Sequence, residues 1–159
     1  MTGLVVLLVV LVATLGVAML IKARSGTVRA TDTGGPTPDA RAALLREVGV
    51  PGAGPTILHF SADWCGPCAA VRRVVGNTVA ALDERLDAGA ARPVDLELDI
   101  DENPVLAREL GVLSLPTTFI FDRDGEQRFR VSGVPTVSDL ESALVPLCRP
   151  EDSLPDENR

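Results

Sequence analysis

The chain has 159 residues, with 15 Lys and Arg residues against 22 Asp and Glu residues, and a formal net charge of −7. This length allows one domain and an additional segment. The acidic balance, without a basic stripe, argues against a nucleic-acid partner, and three cysteines are too few for a disulfide scaffold.

The N-terminus contains the most apolar stretch of the chain. Leu4 to Ile21 carries no charge, and as a helix it would span about 27 Å, close to the thickness of a bilayer core. We therefore expect residues 1–21 to be a transmembrane anchor. A buried core helix is disfavoured because the run has no polar face. A cleaved secretory signal is disfavoured because no Lys or Arg precedes the run and the run is long.

The basic residues nearest to this run follow it in the chain. Lys22, Arg24 and Arg29 favour an N-terminus outside the cell membrane and a cytoplasmic location for the rest of the chain. Residues 22–38 are rich in Gly, Thr, Pro and charge, which predicts a juxtamembrane linker, with room for a short strand around Thr27–Thr31.

The next segments alternate between helical and strand-like patterns. A helix is predicted from Asp39 to Val48, followed by a Pro- and Gly-rich loop. Thr56 to Ala62 has the apolar density of a buried strand, and Gly66 to Ala88 has apolar residues at helical spacing. Val94 to Ile100 alternates apolar and acidic residues, which is typical of a strand.

The C-terminal part predicts a short helix, a hairpin and a closing helix. The short helix, Asn103 to Leu110, has Pro104 at its first position. An Asp-Gly turn joins strands Thr117–Phe121 and Glu126–Val131, and an amphipathic helix covers Thr136–Leu147. Residues 150–159 form an acidic tail, predicted to be disordered. The order predicts an α/β fold with the first three strands parallel and an antiparallel strand at the edge.

Two cysteines lie three positions apart where the buried strand meets the long helix. Cys65 and Cys68 can form a disulfide across a tight loop or remain a dithiol. At a strand-to-helix junction, the unpaired N–H groups and the helix dipole favour a thiolate. The spacing beside a βαβ pattern therefore predicts a redox pair.

From about Asp39 to Leu147 the chain resembles the thioredoxin family. Four features match in order: Trp64 to Cys68, Ile100 to Pro104, the Leu115-Pro116-Thr117 turn, and Gly133 after the hairpin. The resemblance implies a thioredoxin domain over residues 39–149, with a central mixed sheet of four to five strands flanked by helices.

The resemblance also implies a mechanism of protein-disulfide reduction. Cys65 would attack a disulfide of a client protein, and Cys68 would resolve the mixed disulfide. Pro116 would be cis and, with Leu115 and Gly133, would line the substrate groove. The residues around the thiols would support them, with Trp64 covering the thiols and Gly66 and Pro67 shaping the loop. No metal or organic cofactor is required, and an unidentified electron donor such as a reductase would re-reduce the pair.

Two positions depart from the family pattern. His59 stands where family members usually carry a buried aspartate, and Glu97 stands where they often carry a lysine. One interpretation is that Glu97 holds His59 and that His59 relays the proton of Cys68, since an imidazole titrates in a suitable range. The alternative is a histidine that fills a buried polar position and is satisfied by hydrogen bonds. Ser61 also occupies a position that is often aromatic.

Several alternatives remain open at this stage. Cys65 and Cys68 with Cys148 and His59 could form a zinc site, although no second Cys-x-x-Cys exists. Cys148 has either no role or a part in another disulfide. The membrane-tethered, cytoplasm-facing reductase competes with an extracytoplasmic reductase for cytochrome c maturation, and with a non-catalytic membrane adaptor that uses the groove.

Overall fold

A computed structural model of the chain describes residues 14, 29–30 and 38–149. Within these residues no helix is both long enough and apolar enough to cross a membrane. The predicted transmembrane anchor (residues 1–21, except residue 14) and the predicted tail (150–159) lie outside the described residues. The strands are β1 (Arg29–Ala30), β2 (Thr56–Ser61), β3 (Val94–Asp99), β4 (Thr117–Phe121) and β5 (Gln127–Ser132), and the helices are α1 (Pro38–Glu47), α2 (Cys68–Arg85), α3 (Pro104–Glu109) and α4 (Val137–Cys148).

The five strands form one mixed sheet in the order β1-β5-β4-β2-β3. The β2–β3 pair is parallel, and the other three pairs are antiparallel. The predicted α/β architecture is confirmed, and the predicted element boundaries are within about three residues of those observed. The strand expected around Thr27–Thr31 is present as β1.

One topological prediction is wrong. The first three strands of the domain were expected to be parallel, but β4 runs antiparallel to β2. The helix between β3 and β4 has only six residues and is about 9 Å long. It is too short to return the chain along a strand of about 20 Å. The chain therefore re-enters the sheet near the end where β3 left it.

Each face of the sheet is covered by one pair of helices. On one face, Leu58, Phe60 and Phe119 pack against α1 and α3. On the other, Ile57 and Ile120 pack against α2 and α4. The alternation of β2 therefore directs Ile57, His59 and Ser61 toward α2, the helix that carries Cys68.

Two glycines offer a matched test of this packing. Gly76 lies exposed within α2, and a Cβ there would meet no atom within 4 Å. A Cβ on Gly54 would lie 2.1 Å from the backbone oxygen of Arg92. We expect Gly76→Ala to stabilise the fold by about 0.5–1 kcal/mol and Gly54→Ala to destabilise it by about 1–3 kcal/mol. Thermal unfolding of both variants measures the difference, and shifts of the same sign would contradict the packing described.

Candidate active site

Cys65 and Cys68 form a disulfide at the point where β2 passes into α2. The Cys65 N–H donates to the Ala62 oxygen at 3.0 Å, and the Cys68 N–H donates to the Cys65 oxygen at 3.2 Å. Helix α2 begins at Cys68, two residues later than predicted, after Pro67 at its N-cap. Pro67 has no N–H to donate and is well suited to a helix start.

The two sulfur-bearing residues differ in accessibility. Cys68 is 1 % exposed, and its Sγ lies 4.0 Å from the Phe60 oxygen, whereas Cys65 is half-buried. A sulfur in a client protein can therefore approach Cys65 but not Cys68. This difference fits the roles of attacking and resolving cysteine expected from the sequence.

Trp64 stands beside the disulfide with most of its surface in solvent. Its side chain is 70 % exposed, and its Nε1–H donates to Asp101 Oδ2 at 3.1 Å. This hydrogen bond links Trp64 to the segment that precedes α3, and its expected role in covering the thiols stays a prediction. An exposed indole with its polar group satisfied offers an apolar surface to a bound chain.

Two of the predicted groove residues, Leu115 and Pro116, lie in the turn before β4, and the third, Gly133, directly follows β5. The Leu115–Pro116 peptide bond is cis, as expected. The Gly133 N–H donates to the Pro116 oxygen at 2.9 Å, and the Thr117 hydroxyl donates to the Ser114 oxygen at 2.7 Å. The turn is therefore fixed by hydrogen bonds on both sides of Pro116.

The sequence model of the thioredoxin family matches residues 46–145. The chain belongs to the thioredoxin family. This thioredoxin-family protein is 37% identical over 90 residues to a thioredoxin of Porphyra purpurea (57% of this chain, 77% of the relative). It is 34% identical over 91 residues to a thioredoxin of Staphylococcus haemolyticus (57% and 80%). Its fold is similar to that of a mutant thioredoxin from Halobacterium salinarum (TM-score 0.53, 31% identity, 70% of this chain and 86% of that one).

The redox pair and the family membership together make this thioredoxin-family protein a protein-disulfide oxidoreductase. Electrons enter and leave through the Cys65–Cys68 bond, because cleavage of one S–S bond takes up two electrons. The described part of the chain contains no cluster of three or more His, Cys, Asp or Glu residues placed to hold a metal ion.

The expected pairing of His59 with Glu97 is wrong. His59 is 2 % exposed, and its Nε2 lies 3.0 Å from Asp95 Oδ1. Glu97 is the register partner of His59 on β3, but its carboxylate accepts from Arg72 Nε at 2.6 Å. Arg72 of α2 thus binds the Glu97 carboxylate. The His59 imidazole instead contacts the carboxylate of Asp95, two residues earlier on the same face of β3.

Glu97 is charged at neutral pH and is tied to α2. Burial by itself raises the pKa of Glu97, but hydrogen bonds from Ser61 and Arg72 and the nearby charges of His59 and Arg72 lower it more. The net pKa lies below the ordinary value. Glu97 is therefore an ionised neighbour of His59 at neutral pH.

The sequence pattern did not single out Asp95 or Thr118. Residues two apart on a strand share a face, so the alternation of β3 was enough to place Asp95 on the same face as Glu97. The alternation did not indicate that Asp95 pairs with His59. Thr118 is the register partner of His59 on β4. Its buried hydroxyl makes no hydrogen bond to another residue of the described chain. The sheet surface beneath α2 is therefore polar around His59.

Cys148 takes no part in this site. It lies at the end of α4 and is a free, fully buried thiol. Burial raises the pKa of Cys148, against the opposing influence of the Arg92 and Arg123 charges. A buried, protonated thiol reacts slowly with oxidants and alkylating reagents.

Proposed function

We propose that the protein is a membrane-tethered thiol–disulfide reductase that reduces disulfides of client proteins. The observation that carries the proposal is the asymmetric Cys65–Cys68 pair, whose one accessible sulfur follows β2 at the end of the sheet where the turn at Pro116 leads into β4. Leu4 to Ile21 supports the tether, since an uncharged run of this length matches a bilayer core. Lys22, Arg24 and Arg29 support a cytoplasmic position for the domain.

The reaction cycle follows from the positions of the two sulfurs. The Cys65 thiolate attacks one sulfur of the client disulfide, forming a mixed disulfide and releasing the other client sulfur as a thiolate that takes up a proton. Cys68 then loses its proton and attacks Cys65 Sγ. The second client thiol leaves, and Cys65–Cys68 is oxidised by two electrons. A dithiol electron donor, such as a reductase, must restore the reduced pair.

We further propose that His59 accepts the Cys68 proton during resolution. A carboxylate only accepts hydrogen bonds, so the Nε2–H of His59 donates to Asp95 Oδ1, and Nδ1 of the neutral imidazole remains an acceptor. His59 and Cys68 lie on the same side of the sheet, and the Cys68 sulfur lies 4.0 Å from the backbone oxygen of Phe60, the next residue of β2. Asp95 orients the imidazole.

Two alternatives share parts of this site. An extracytoplasmic reductase for cytochrome c maturation would use the same chemistry on the other side of the membrane. An adaptor would use the groove without turnover. The activity test is insulin-disulfide reduction by the full chain in detergent, with Cys65→Ser as control. Activity of the wild type above this control supports a reductase, and equal rates would favour the adaptor.

The side of the membrane is tested with an impermeant maleimide on intact cells. Cys148 is unsuitable as the probe because it is buried. We place Ala88→Cys, at an exposed position after α2, in a background with all three native cysteines replaced by serine. We expect labelling only after permeabilisation. Thr2→Cys, on the other side of the apolar run, is the matched control and should be labelled in intact cells. The reverse pattern would support the extracytoplasmic reductase.

A further inference from the structure

Arg130 of β5 joins two parts of the site that are far apart in sequence. Its Nη1 donates to the Leu110 oxygen at 3.2 Å, and its Nη2 donates to the Gly111 oxygen at 2.7 Å. These carbonyls close the C-terminal end of α3, where a cation is favoured by the helix dipole and by the unpaired oxygens. The planar guanidinium thus binds both oxygens at once.

The Arg130 side chain is also held by contact with an aromatic ring. Its Cζ lies 5.2 Å from the centroid of the Phe119 ring, and Phe119 packs edge-on against Phe60 with centroids 6.3 Å apart. Phe119 and Phe60 are fully buried. The guanidinium therefore rests on a rigid aromatic surface, which limits the conformations that its fork can adopt.

The segment held by Arg130 leads directly to Leu115 and Pro116, which we expect to line the substrate groove. Residues 112–116, which we call the groove loop, follow Gly111 and end at Pro116. Gly133 donates to Pro116 at the far end, so residues of β5 and of the turn after it hold the loop at both ends. Leu113, within the loop, is 92 % exposed. The loop precedes Thr117, which pairs with Phe60 at the end of β2 that leads to the redox pair, and a large apolar side chain in solvent at this end of the sheet is available for contact with a protein client.

We propose that Arg130 is a positioning residue for client docking: by holding the Leu110 and Gly111 carbonyls it places the groove loop against the Cys65 side of the site. Arg130 does not touch the reacting sulfurs. Its loss should weaken the binding of a folded protein disulfide, which contacts the loop. The reaction of Cys65 with a small disulfide should not change, because a small disulfide needs only the sulfur.

Two substitutions of Arg130 test the contribution of the guanidinium apart from that of the aliphatic part of the side chain. Arg130→Met keeps an apolar stem over Phe119 and removes the donors, and Arg130→Lys keeps the charge but not the fork. Arg128→Met is the matched control, because Arg128 is on the same strand and pairs instead with Asp122 at 3.2 Å. Thermal unfolding establishes that each variant is folded at the assay temperature, and Arg130→Lys alone carries the test if Arg130→Met does not fold.

The measurement is single-turnover reduction of fluorescein-labelled insulin by the pre-reduced full chain in detergent, over a range of concentrations. Reaction with 5,5′-dithiobis(2-nitrobenzoate) reports the small-disulfide rate. We expect the half-saturation concentration for insulin to rise roughly three- to tenfold in Arg130→Met and less in Arg130→Lys. The maximal rate and the small-disulfide rate should remain within twofold of wild type. An unchanged half-saturation concentration, or an equal loss in both reactions, would overturn the proposal. Neither result would affect the reductase assignment, which rests on Cys65.

Discussion

Replacing Cys65 by serine should lower the rate of protein-disulfide reduction at least about 1,000-fold. The hydroxyl is a far weaker nucleophile than the thiolate, and Cys68 cannot substitute because it is 1 % exposed. Initial rates of insulin reduction measure the loss. Cys148→Ser is the control and should keep full activity, because Cys148 is buried at the end of α4.

Replacing Cys68 should have a different effect from replacing Cys65. Cys68→Ser keeps the attacking sulfur and removes the resolving one, so the mixed disulfide with the client should accumulate to about one client per protein. Mass spectrometry under non-reducing conditions detects this adduct. If Cys65→Ser stays active, or if Cys68→Ser forms no adduct while Cys65 remains reactive, the assigned order of the two cysteines is wrong.

The second large effect is expected at His59. His59→Ala should slow resolution of the mixed disulfide roughly 100-fold, since a positioned proton acceptor contributes at least that much to such a step. The attack of Cys65 on a small disulfide should be unaffected. Rapid-quench measurement of client release, starting from the preformed mixed disulfide, isolates the resolution step. An unchanged rate would exclude the proton transfer and leave His59 as a buried polar residue.

A pH profile distinguishes proton transfer from a structural role. Asp95 contacts the His59 imidazole directly, and Glu97, which is bound by Arg72, interacts with His59 electrostatically. If His59 accepts the proton, the pH profile of resolution in the wild type should differ in shape from that of His59→Gln, because only the wild type has a positioned base for the Cys68 proton. In His59→Gln the rate should rise only where thiols ionise unaided. A merely structural histidine would leave the shape of the profile unchanged.

Asp95 provides the matched variant for this experiment. Asp95→Asn removes the carboxylate that orients the imidazole while preserving a polar contact to Nε2. We expect a smaller loss than in His59→Ala, on the order of tenfold. Arg72→Met, which frees Glu97 instead, should have the weaker effect of the two. A larger loss in Arg72→Met would favour Glu97 as the functional partner of His59.

The sequence predicted the elements and the redox pair because both depend on local pattern. The alternation of β3, the Asp-Gly turn before β5 and the spacing of the two thiols are all visible within a few residues. The resemblance to the thioredoxin family added the cis bond before Pro116, which no local pattern dictates. Positions whose environment is set by neighbours in sequence were therefore predicted well.

Three features required the tertiary structure. The direction of β4 depends on the length of α3 relative to the strands. The partner of His59 depends on which carboxylate Arg72 occupies, and Arg72 belongs to a different element. The contacts of Arg130 with Leu110 and Gly111 span about 20 positions. In each case the outcome depends on elements that are distant in sequence, which a local sequence pattern does not record.

Strand β1 sets a limit on where the domain can operate. Arg29 pairs with Arg130 at the edge of the sheet, and eight peptide units separate it from Ile21, the end of the proposed anchor. A fully extended chain of that length reaches at most about 29 Å. The sheet edge would therefore stay within one domain diameter of the bilayer. Clients bound to the same membrane would meet the enzyme at a high effective concentration, whereas clients in bulk solution would gain nothing from the tether.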